Sequence, residues 1–483
     1  MMNGVLLQGF EWYVINDGKH YVRLYDSLET LKKLGISAIW LPPVCKGTGS
    51  NDVGYGVYDL YDLGEFDQKG SIRTKYGTKE ELVKLIDKAH DLGMSIYADV
   101  VLNHKAGADE TEVFKAIEVA YDNRDHEIGQ ERDIEGWTKF TFKNRNNKYS
   151  DFKWNFHHFS GVDYDQLQQK KGIFKISGFN KGWSFQVSNE HGNYDYLMNS
   201  NIDHNNADVR KELFSWVKWI MNELKLDGFR LDAIKHIDAV FMDDLVNYIH
   251  DELDPNFYLV GEYWVDNKEA LQKYMEHTSG KIDLFDVSLH YNLHSASKQY
   301  EQFDLRTIFD GAIVQSNPIM AVTFVDNHDS QKGQSLESWI DEWFKEIAYA
   351  LILFRKDGYP CIFYGDLFQI GDGSLYAGMQ ERLHTLLKLR KQYAYGDQDD
   401  YFTSSNCIGF VRHGDQQHPN KLVVLISNAG KGSLRMFVGN DLQGKQFYDA
   451  LGHCKEFVEI DEEGFGNFKV EERSVSAWII KDE

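Results

Sequence analysis

The sequence predicts an α/β protein: a (β/α)8 barrel with an inserted subdomain after its third strand and a C-terminal antiparallel β-sandwich domain. Eight short apolar runs alternate with segments of helical periodicity, which is the pattern of a parallel barrel. The connection after the third run spans about a hundred residues, too many for a structureless loop. Beyond Gln392 the helical pattern stops, and short alternating strands separated by turns follow.

The candidate barrel strands are short apolar runs bounded by turn residues. In chain order they are Val5–Phe10, Ala38–Leu41, Ile96–Leu102, Gly228–Leu231, Tyr258–Gly261, Leu284–Val287, Ala321–Val325 and Cys361–Tyr364. Helices are predicted between most of them, for example at Leu24–Leu34, Lys79–Leu92, Val209–Leu224 and Glu342–Phe354. Each helix would return the chain to the start of the next parallel strand.

The long third connection, near Lys105–Asn205, is rich in Asn, Asp, Gly and aromatic residues, which indicates a folded insertion. The strands predicted in the last part of the chain are Cys407–Arg412, Leu422–Ile426, Ser433–Val438 and Ser474–Ile480. We therefore expect the barrel over residues 1–103 and 206–392, the inserted domain over 104–205, and the C-terminal β-domain over 393–483.

Composition and net charge indicate which kinds of ligand and binding partner the protein can have. The chain has 483 residues, of which 42% are hydrophobic, and a net charge of −23. Such a surface repels polyanions, so nucleic acid and anionic membranes are poor partners and a neutral ligand is favoured. No apolar run is long enough to span a bilayer, and the first residues lack a basic leader. Four dispersed cysteines suit a reducing compartment, so we expect a cytoplasmic monomer.

Four of the predicted barrel strands end in polar clusters. These are DVVLNH at Asp99–His104, DGFRLDAIKH at Asp227–His236, GEYW at Gly261–Trp264 and FVDNHD at Phe324–Asp329. Catalytic groups of barrel enzymes lie at the carboxyl ends of strands. One carboxylate there is more often a helix cap, but three carboxylates, two histidines and an arginine on one rim favour an active site.

Arg230 and Asp232 lie two residues apart, so in a strand their side chains share a face. An isolated pair of this kind is more often a structural salt bridge. In an active site, the fixed cation would keep Asp232 ionised as a nucleophile. Glu262 has no cation beside it in the sequence and is followed by Tyr263 and Trp264, so it would keep its proton as a general acid. Glycoside hydrolysis needs such a pair.

The four segments, in this order, resemble the signature regions of the α-amylase family, glycoside hydrolase family thirteen. GYGVYDLYDLGEF and NYDYLMNSNID add two matching segments, and the similarity covers essentially the whole chain. Within the family the chain is most similar to bacterial liquefying-type and cytoplasmic α-amylases. The resemblance implies a retaining, endo-acting hydrolase of α-1,4-glucosidic bonds in starch, glycogen-type glucans and maltodextrins.

The resemblance also implies roles for individual residues. Asp232 would be the nucleophile, Glu262 the acid/base and Asp329 the transition-state stabiliser. The positions that would bind substrate are Arg230, His104 and His328 beside the donor sugar, Tyr55 stacked on it, Lys235 and His236 towards the leaving group, and Trp264.

In calcium-dependent members of the family the ion lies between barrel and insertion. Asn103, Asp195, Asn201 and the His236 carbonyl match those ligands. Many secreted relatives have Asp at position 201, and also where this chain has Ser160 and Ser184. Because carboxylate count tunes calcium affinity, we expect at most one weak structural calcium and no organic cofactor. Hydrogen bonding within loops explains Asn103 and Asp195 equally well.

Three other functions remain open on the sequence alone. A transglycosylase would use the same three acids and pass the glycosyl group to a sugar instead of water, and product chain lengths would distinguish it. A non-catalytic glycan-binding protein fits the fold, although not the intact Asp232, Glu262 and Asp329. A metal-dependent barrel hydrolase would need clustered histidines, and no His-x-His follows the first predicted strand.

Overall fold

The computed structural model describes residues 3–481, and it contains the predicted closed barrel of eight parallel strands. The barrel strands are Leu6–Gln8, Ala38–Leu41, Ser95–Val100, Gly228–Leu231, Tyr258–Gly261, Asp283–Phe285, Ala321–Phe324 and Tyr359–Phe363. Each strand pairs with those before and after it in this order, and the first pairs with the eighth to close the ring. The expected fold class is confirmed.

Helices cover the barrel between its strands. The α-helices are His20–Leu34, Lys79–Asp91, Ala207–Leu224, Ala239–Tyr248, Lys268–His277, Val287–Gln299, Ile313–Ser316, Glu342–Phe354, Tyr364–Leu367 and Gln380–Tyr393. A π-helical turn, Ile249–Leu253, extends the fourth of these. Single 3-10 turns lie at Lys143–Arg145, Phe156–His158, Ile234–His236, Tyr300–Gln302, Leu305–Thr307 and Asn440–Leu442. Local chemistry fixes several starts: Thr78 and Glu81 form a capping box before the second helix.

The third barrel strand ends at Val100, earlier than the predicted Leu102. The backbone beyond it is drawn into the insertion, because Ile202 N–H donates to the Asn103 carbonyl. His104–Lys105 then forms a short strand paired with Ser200–Ile202. Asn103 and His104 therefore lie at the junction of barrel and insertion and not on the barrel strand itself.

The long third connection folds around a six-stranded antiparallel sheet. In spatial order its strands are His104–Lys105, Ser200–Ile202, Phe159–Asp165, Lys170–Ile176, Glu110–Val119 and Arg132–Lys139. Both ends of the connection meet at the first two of these strands, which places the insertion at the carboxyl end of the barrel.

The last part of the chain forms two antiparallel sheets. One contains Gln398–Tyr401, Cys407–Arg412, Leu422–Ser427, Ser474–Ile480, Gln446–Asp449 and Val458–Glu459, and the other pairs Gly432–Phe437 with Phe465–Val470. Apolar side chains between them form a separate core that includes Val423, Met436 and Trp478. The exact domain limits stay a prediction.

The fourth barrel strand can carry polar residues because successive side chains of a strand point to opposite faces of the sheet. Phe229 and Leu231 of the fourth strand are buried, and the Phe229 ring contacts Phe257 at a centroid distance of 4.7 Å. Arg230 lies between them and pairs opposite Asp99 of the third strand. Within residues 3–481, no helix is both long and apolar enough to cross a membrane.

Candidate active site

The three predicted carboxylates lie together at the carboxyl end of the barrel. Asp232 and Glu262 directly follow the fourth and fifth strands. The Asp232 amide donates to the Val100 carbonyl at 3.0 Å and the Glu262 amide to the Leu231 carbonyl at 2.9 Å, so both continue the hydrogen bonding of the barrel sheet. Asp329 lies in the turn after the seventh strand, where its amide donates to Asn327 Oδ1. Their side chains are 9%, 8% and 20% exposed, so the acids are largely shielded from bulk water.

The buried guanidinium of Arg230 contacts two of these acids and Asp99. Its Nη1 lies 2.6 Å from Asp232 Oδ1 and 2.9 Å from Asp99 Oδ1, while Nη2 lies 2.9 Å from Glu262 Oε2. The contact between Glu262 and Arg230 was not predicted from the sequence, whereas the expected rise in the pKa of Glu262 is found. The cation is remote from Glu262 in sequence but adjacent in space, because the fourth and fifth strands are neighbours in the barrel.

Asp99 is a further buried acid of the site, and no role was predicted for it from the sequence. Its Oδ1 accepts from Arg230, and its Oδ2 accepts from Trp40 Nε1 at 3.0 Å and Tyr55 Oη at 2.9 Å. The signal that could have identified it is register, since parallel pairing sets Asp99 directly opposite Arg230. Fully hydrogen-bonded, Asp99 fixes both the guanidinium and the Tyr55 ring.

Burial is the largest cause acting on the pKa of each acid, and it raises all of them. Arg230 opposes this effect and lowers the pKa of each acid, whereas the Asp232 charge raises the pKa of Asp99. The Asp232 charge raises the pKa of Glu262, and both acids raise the pKa of Asp329 well above its ordinary value. Arg230 acts on Asp232 both as a nearby charge and through a hydrogen bond, and each of these lowers the pKa of Asp232 against the effect of burial.

A stack of aromatic rings borders Asp329 on one side. The Tyr55 ring is 5.1 Å from that of His328 and 5.9 Å from that of Trp12, and the planes in each pair are 3° apart. His328 Nδ1 accepts from Gln8 Nε2 at 2.9 Å, while its Nε2 lies 3.1 Å from Asp329 Oδ2 without hydrogen-bond alignment. Burial holds the pKa of His328 well below its ordinary value, so this imidazole is neutral.

On the other side, Lys235 and His236 follow the fourth strand and line the cleft, as does Trp264. Lys235 Nζ is 2.6 Å from Glu190 Oε2 and donates to the Trp264 carbonyl at 3.0 Å. His236 Nδ1 donates to the Tyr194 carbonyl at 2.7 Å, and burial lowers the pKa of His236 to about 3. Glu190 and Tyr194 come from the insertion and were not among the predicted site residues.

These groups line one cleft with a volume of about 1000 Å³. The predicted site residues along it are Tyr55, His104, Asp232, Lys235, His236, Glu262, Trp264, His328 and Asp329. Arg230 is 1% exposed and lies beneath the cleft floor. His104 donates from Nε2 to the Tyr55 carbonyl at 2.8 Å, and burial lowers the pKa of His104 to about 4. The cleft thus combines neutral imidazoles and aromatic rings around three acids, two of which are bound by the buried guanidinium of Arg230.

The four predicted calcium ligands lie at the junction of barrel and insertion. Asn103 Oδ1 and Asp195 Oδ1 are buried oxygens without a hydrogen-bond partner. Asn201 Nδ2 donates to Asp195 Oδ2 at 3.2 Å, and its Oδ1 accepts from Asn103 Nδ2 at 3.4 Å. Burial raises the pKa of Asp195 to about 8 in this setting. Free oxygen acceptors beside a destabilised carboxylate fit a hard cation such as calcium.

Near the predicted calcium ligands, the carboxylate of Asp203 is paired with a lysine, Lys181. Lys181 Nζ donates to Asp203 Oδ2 at 2.6 Å and to the carbonyls of His157 at 2.7 Å and Phe159 at 2.9 Å. Its side chain is 8% exposed and that of Asp203 is 4% exposed. Within residues 3–481 there is no group of three or more His, Cys, Asp or Glu side chains arranged to hold a metal ion.

Two family models match the chain. The α-amylase catalytic domain matches residues 23–382, and the α-amylase C-terminal domain matches residues 422–479. The first match contains the insertion and seven of the eight barrel strands, all but Leu6–Gln8, and the second lies within the C-terminal sheets.

Several characterised proteins are similar over nearly their whole length. The α-amylase of Bacillus licheniformis is 47% identical over 99% of this chain and 94% of its own. The glucan 1,4-α-maltohexaosidase of Bacillus sp. (strain 707) is 46% identical over 99% and 93%. The cytoplasmic α-amylase of Escherichia coli (strain K12) is 41% identical over the full length of both chains.

Solved structures share the architecture at lower sequence identity. The crystal structure of an Anoxybacillus α-amylase has a TM-score of 0.64 at 18% identity, over 100% of this chain and 97% of that one. The α-amylase of Geobacillus thermoleovorans, solved with acarbose, has a TM-score of 0.63 at 18% identity, with the same coverage. These similarities establish the fold.

Proposed function

The chain belongs to the α-amylase family of glycoside hydrolases, and we propose that it is a retaining, endo-acting hydrolase of α-1,4-glucosidic bonds in starch, glycogen-type glucans and maltodextrins. Relatives named α-amylase and maltohexaosidase, similar over nearly the full chain, support this activity. The observation that carries the proposal is the attachment of Asp232 and Glu262 to the two terminal nitrogens of one buried guanidinium.

In the first half-reaction, ionised Asp232 attacks the anomeric carbon while Glu262 donates its proton to the glycosidic oxygen. The bond to the leaving sugar breaks as the ester between Asp232 and the sugar forms. Arg230 keeps Asp232 charged, and the Asp232 charge in turn favours the proton on Glu262. Asp329, whose pKa is raised by burial and by the other acids, hydrogen-bonds to a hydroxyl of the same sugar as positive charge develops on its ring.

In the second half-reaction Glu262, now ionised, removes a proton from water, and the hydroxide oxygen attacks the anomeric carbon. The ester breaks, Asp232 regains its charge and the α-configuration is restored. Tyr55 and His328 hold the donor sugar, since they form the flat wall beside Asp329. Lys235 and His236 lie beside the carbonyl of Trp264 and the ring of Tyr194, on the leaving-group side.

Proton NMR of maltoheptaose hydrolysis tests the mechanism. The first reducing ends to appear should be the α-anomer, with the β-anomer growing later by mutarotation. Reducing ends should increase by one for each bond cleaved, because water is the acceptor. A β-anomer appearing first would reject Asp232 as nucleophile, and conserved reducing ends with redistributed chain lengths would identify a transglycosylase.

We also propose one calcium ion held by Asn103, Asp195, Asn201 and the His236 carbonyl. The partnerless oxygens of Asn103 and Asp195 support this assignment. The ion would have a structural role, since its ligands come from the ends of the insertion and from the segment after the fourth barrel strand. Only one of the four ligands carries a charge, which predicts weak binding. A second ion is not needed at Asp203, because Lys181 already neutralises that carboxylate.

A calcium chelator should lower the melting temperature by only a few degrees. A site with Kd on the order of 10⁻⁴ M contributes about 1–2 kcal/mol at millimolar calcium. Asn201→Asp adds a second carboxylate and should make the chelator effect larger, as followed by calorimetry. Asn199→Asp, which adds the same charge two residues away, should not. A large loss of melting temperature in the unmodified protein would show that the neutral ligands bind tightly.

We place the protein in the cytoplasm. The similarity to the cytoplasmic enzyme of Escherichia coli supports this, as do four cysteines that are all free thiols, three of them buried. Cell fractionation, with periplasmic and cytoplasmic marker enzymes measured in parallel, tests the assignment.

A further inference from the structure

The cleft continues past Lys235 and His236 onto the insertion, where it reaches Tyr121. Tyr121 is 79% exposed, although it lines a concave surface. It lies just beyond the strand Glu110–Val119, at the turn that leads to Arg132–Lys139. An exposed aromatic ring in the wall of a substrate cleft offers an apolar face to a ligand.

Arg124 holds this ring from behind. Its guanidinium carbon lies 4.9 Å from the centroid of the Tyr121 ring and 5.3 Å from that of Tyr194. Arg124 is 2% exposed, and its Nε and Nη1 have no hydrogen-bond partner. The backbone is also fixed, because the Arg124 carbonyl accepts from Trp183 Nε1 at 3.0 Å. A guanidinium enclosed between two tyrosines orients them without competing for a carboxylate.

A chain of contacts connects this platform of Tyr121 and Arg124 to the leaving-group side of the site. Tyr194 contacts His236 with a ring centroid distance of 4.2 Å and an interplanar angle of 89°. Lys235 Nζ lies 5.2 Å from the Tyr194 ring and also donates to the carbonyl of Trp264. The aromatic stack of Trp12, Tyr55 and His328 is a separate group beside Asp329.

We propose that Tyr121, positioned by Arg124, binds a glucose unit of the α-glucan on the reducing-end side of the cleaved bond. The ligand is the apolar face of an α-1,4-linked glucose residue, stacked on the open face of the phenol ring. Binding there retains substrates with long leaving groups, so Tyr121 helps to set how far from the reducing end the chain is cut. This inference rests on the hydrolase activity proposed above.

The test compares two substrates that share the donor side. Maltodecaose has a leaving group long enough to extend along the cleft, whereas the fluoride of α-maltosyl fluoride contacts no acceptor position. Tyr121→Ala should lower the ratio of kcat/KM for maltodecaose to that for α-maltosyl fluoride by about 3- to 10-fold, the value of one stacked ring. With reducing-end-labelled maltodecaose, the main cut should move towards the reducing end.

Two further variants sharpen the result. Tyr121→Phe keeps the ring and should keep both the ratio and the cleavage position. Phe179→Ala removes another aromatic ring of the insertion, 94% exposed and outside the residues lining the cleft, and should change neither. An unchanged ratio in Tyr121→Ala would overturn the inference, as would Tyr121→Phe behaving like Tyr121→Ala. If the unmodified protein cuts neither substrate, the proposed hydrolase activity fails instead.

Discussion

The Glu262→Gln variant should release about one equivalent of fluoride from α-maltosyl fluoride rapidly and then stall. Fluoride departs without help from an acid, so attack by Asp232 proceeds and the covalent intermediate forms. Its breakdown still needs Glu262 as a base to activate water. Mass spectrometry should find one maltosyl unit added to the peptide that contains Asp232.

The Asp232→Asn variant should show neither burst nor adduct, because an amide is a poor nucleophile. Its activity on maltodextrin should fall roughly 10⁴-fold or more. Asp329→Asn should slow both the burst and the turnover, since it acts on the charged transition state common to both steps. An adduct on Glu262, or a normal burst in Asp232→Asn, would reverse the assigned roles.

Asp227→Asn is a matched control for the nucleophile variant. Asp227 lies at the amino end of the same barrel strand and accepts from His90 Nε2 at 2.9 Å and from the Ile96 amide at 2.7 Å. Made in the Glu262→Gln background, the same substitution at that end of the barrel should leave the fluoride burst intact. A lost burst there would mean that disturbance of the strand, and not removal of the carboxylate, accounts for the Asp232 result.

The bounds of a barrel strand could be predicted from the sequence where the strand consists of one short apolar run. Ala38–Leu41, Gly228–Leu231 and Tyr258–Gly261 occur with the predicted bounds. The third strand was overestimated because Val101 and Leu102 are apolar and buried without belonging to the barrel sheet. Apolar character indicates burial, whereas the end of this strand depends on hydrogen bonds to an insertion whose fold is encoded elsewhere.

The site residues that could be predicted from the sequence are those that lie close together along the chain. Asp99, Gln8 and Glu190 were missed because each acts through a partner far away in sequence: Arg230, His328 and Lys235 respectively. The contact of Glu262 with Arg230 was missed for the same reason, although the predicted rise in the pKa of Glu262 is found. Its cation comes from the neighbouring strand, and among the charges around it Arg230 lowers its pKa while Asp232 raises it.

Arg230→Lys should lower kcat/KM on maltodextrin by about 10²- to 10³-fold although the positive charge is kept. One guanidinium uses two terminal nitrogens to hold Asp99, Asp232 and Glu262 in fixed positions. An ammonium group is a single point on a flexible stem and cannot reproduce this planar fork. Steady-state kinetics on a soluble maltodextrin measures the loss.

The pH dependence of the Arg230→Lys variant separates geometry from charge. Arg230 lowers the pKa of Asp232, so a less well placed cation lets that pKa rise. Asp232 must be ionised to attack, and the acidic limb of the kcat/KM profile should therefore move to higher pH. Arg355→Lys, at a bidentate pair with Asp400 at 2.7 and 3.0 Å, is the matched control and should move neither rate nor limb. Near-normal kcat/KM with an unmoved limb in Arg230→Lys would mean that positive charge alone is sufficient at this position.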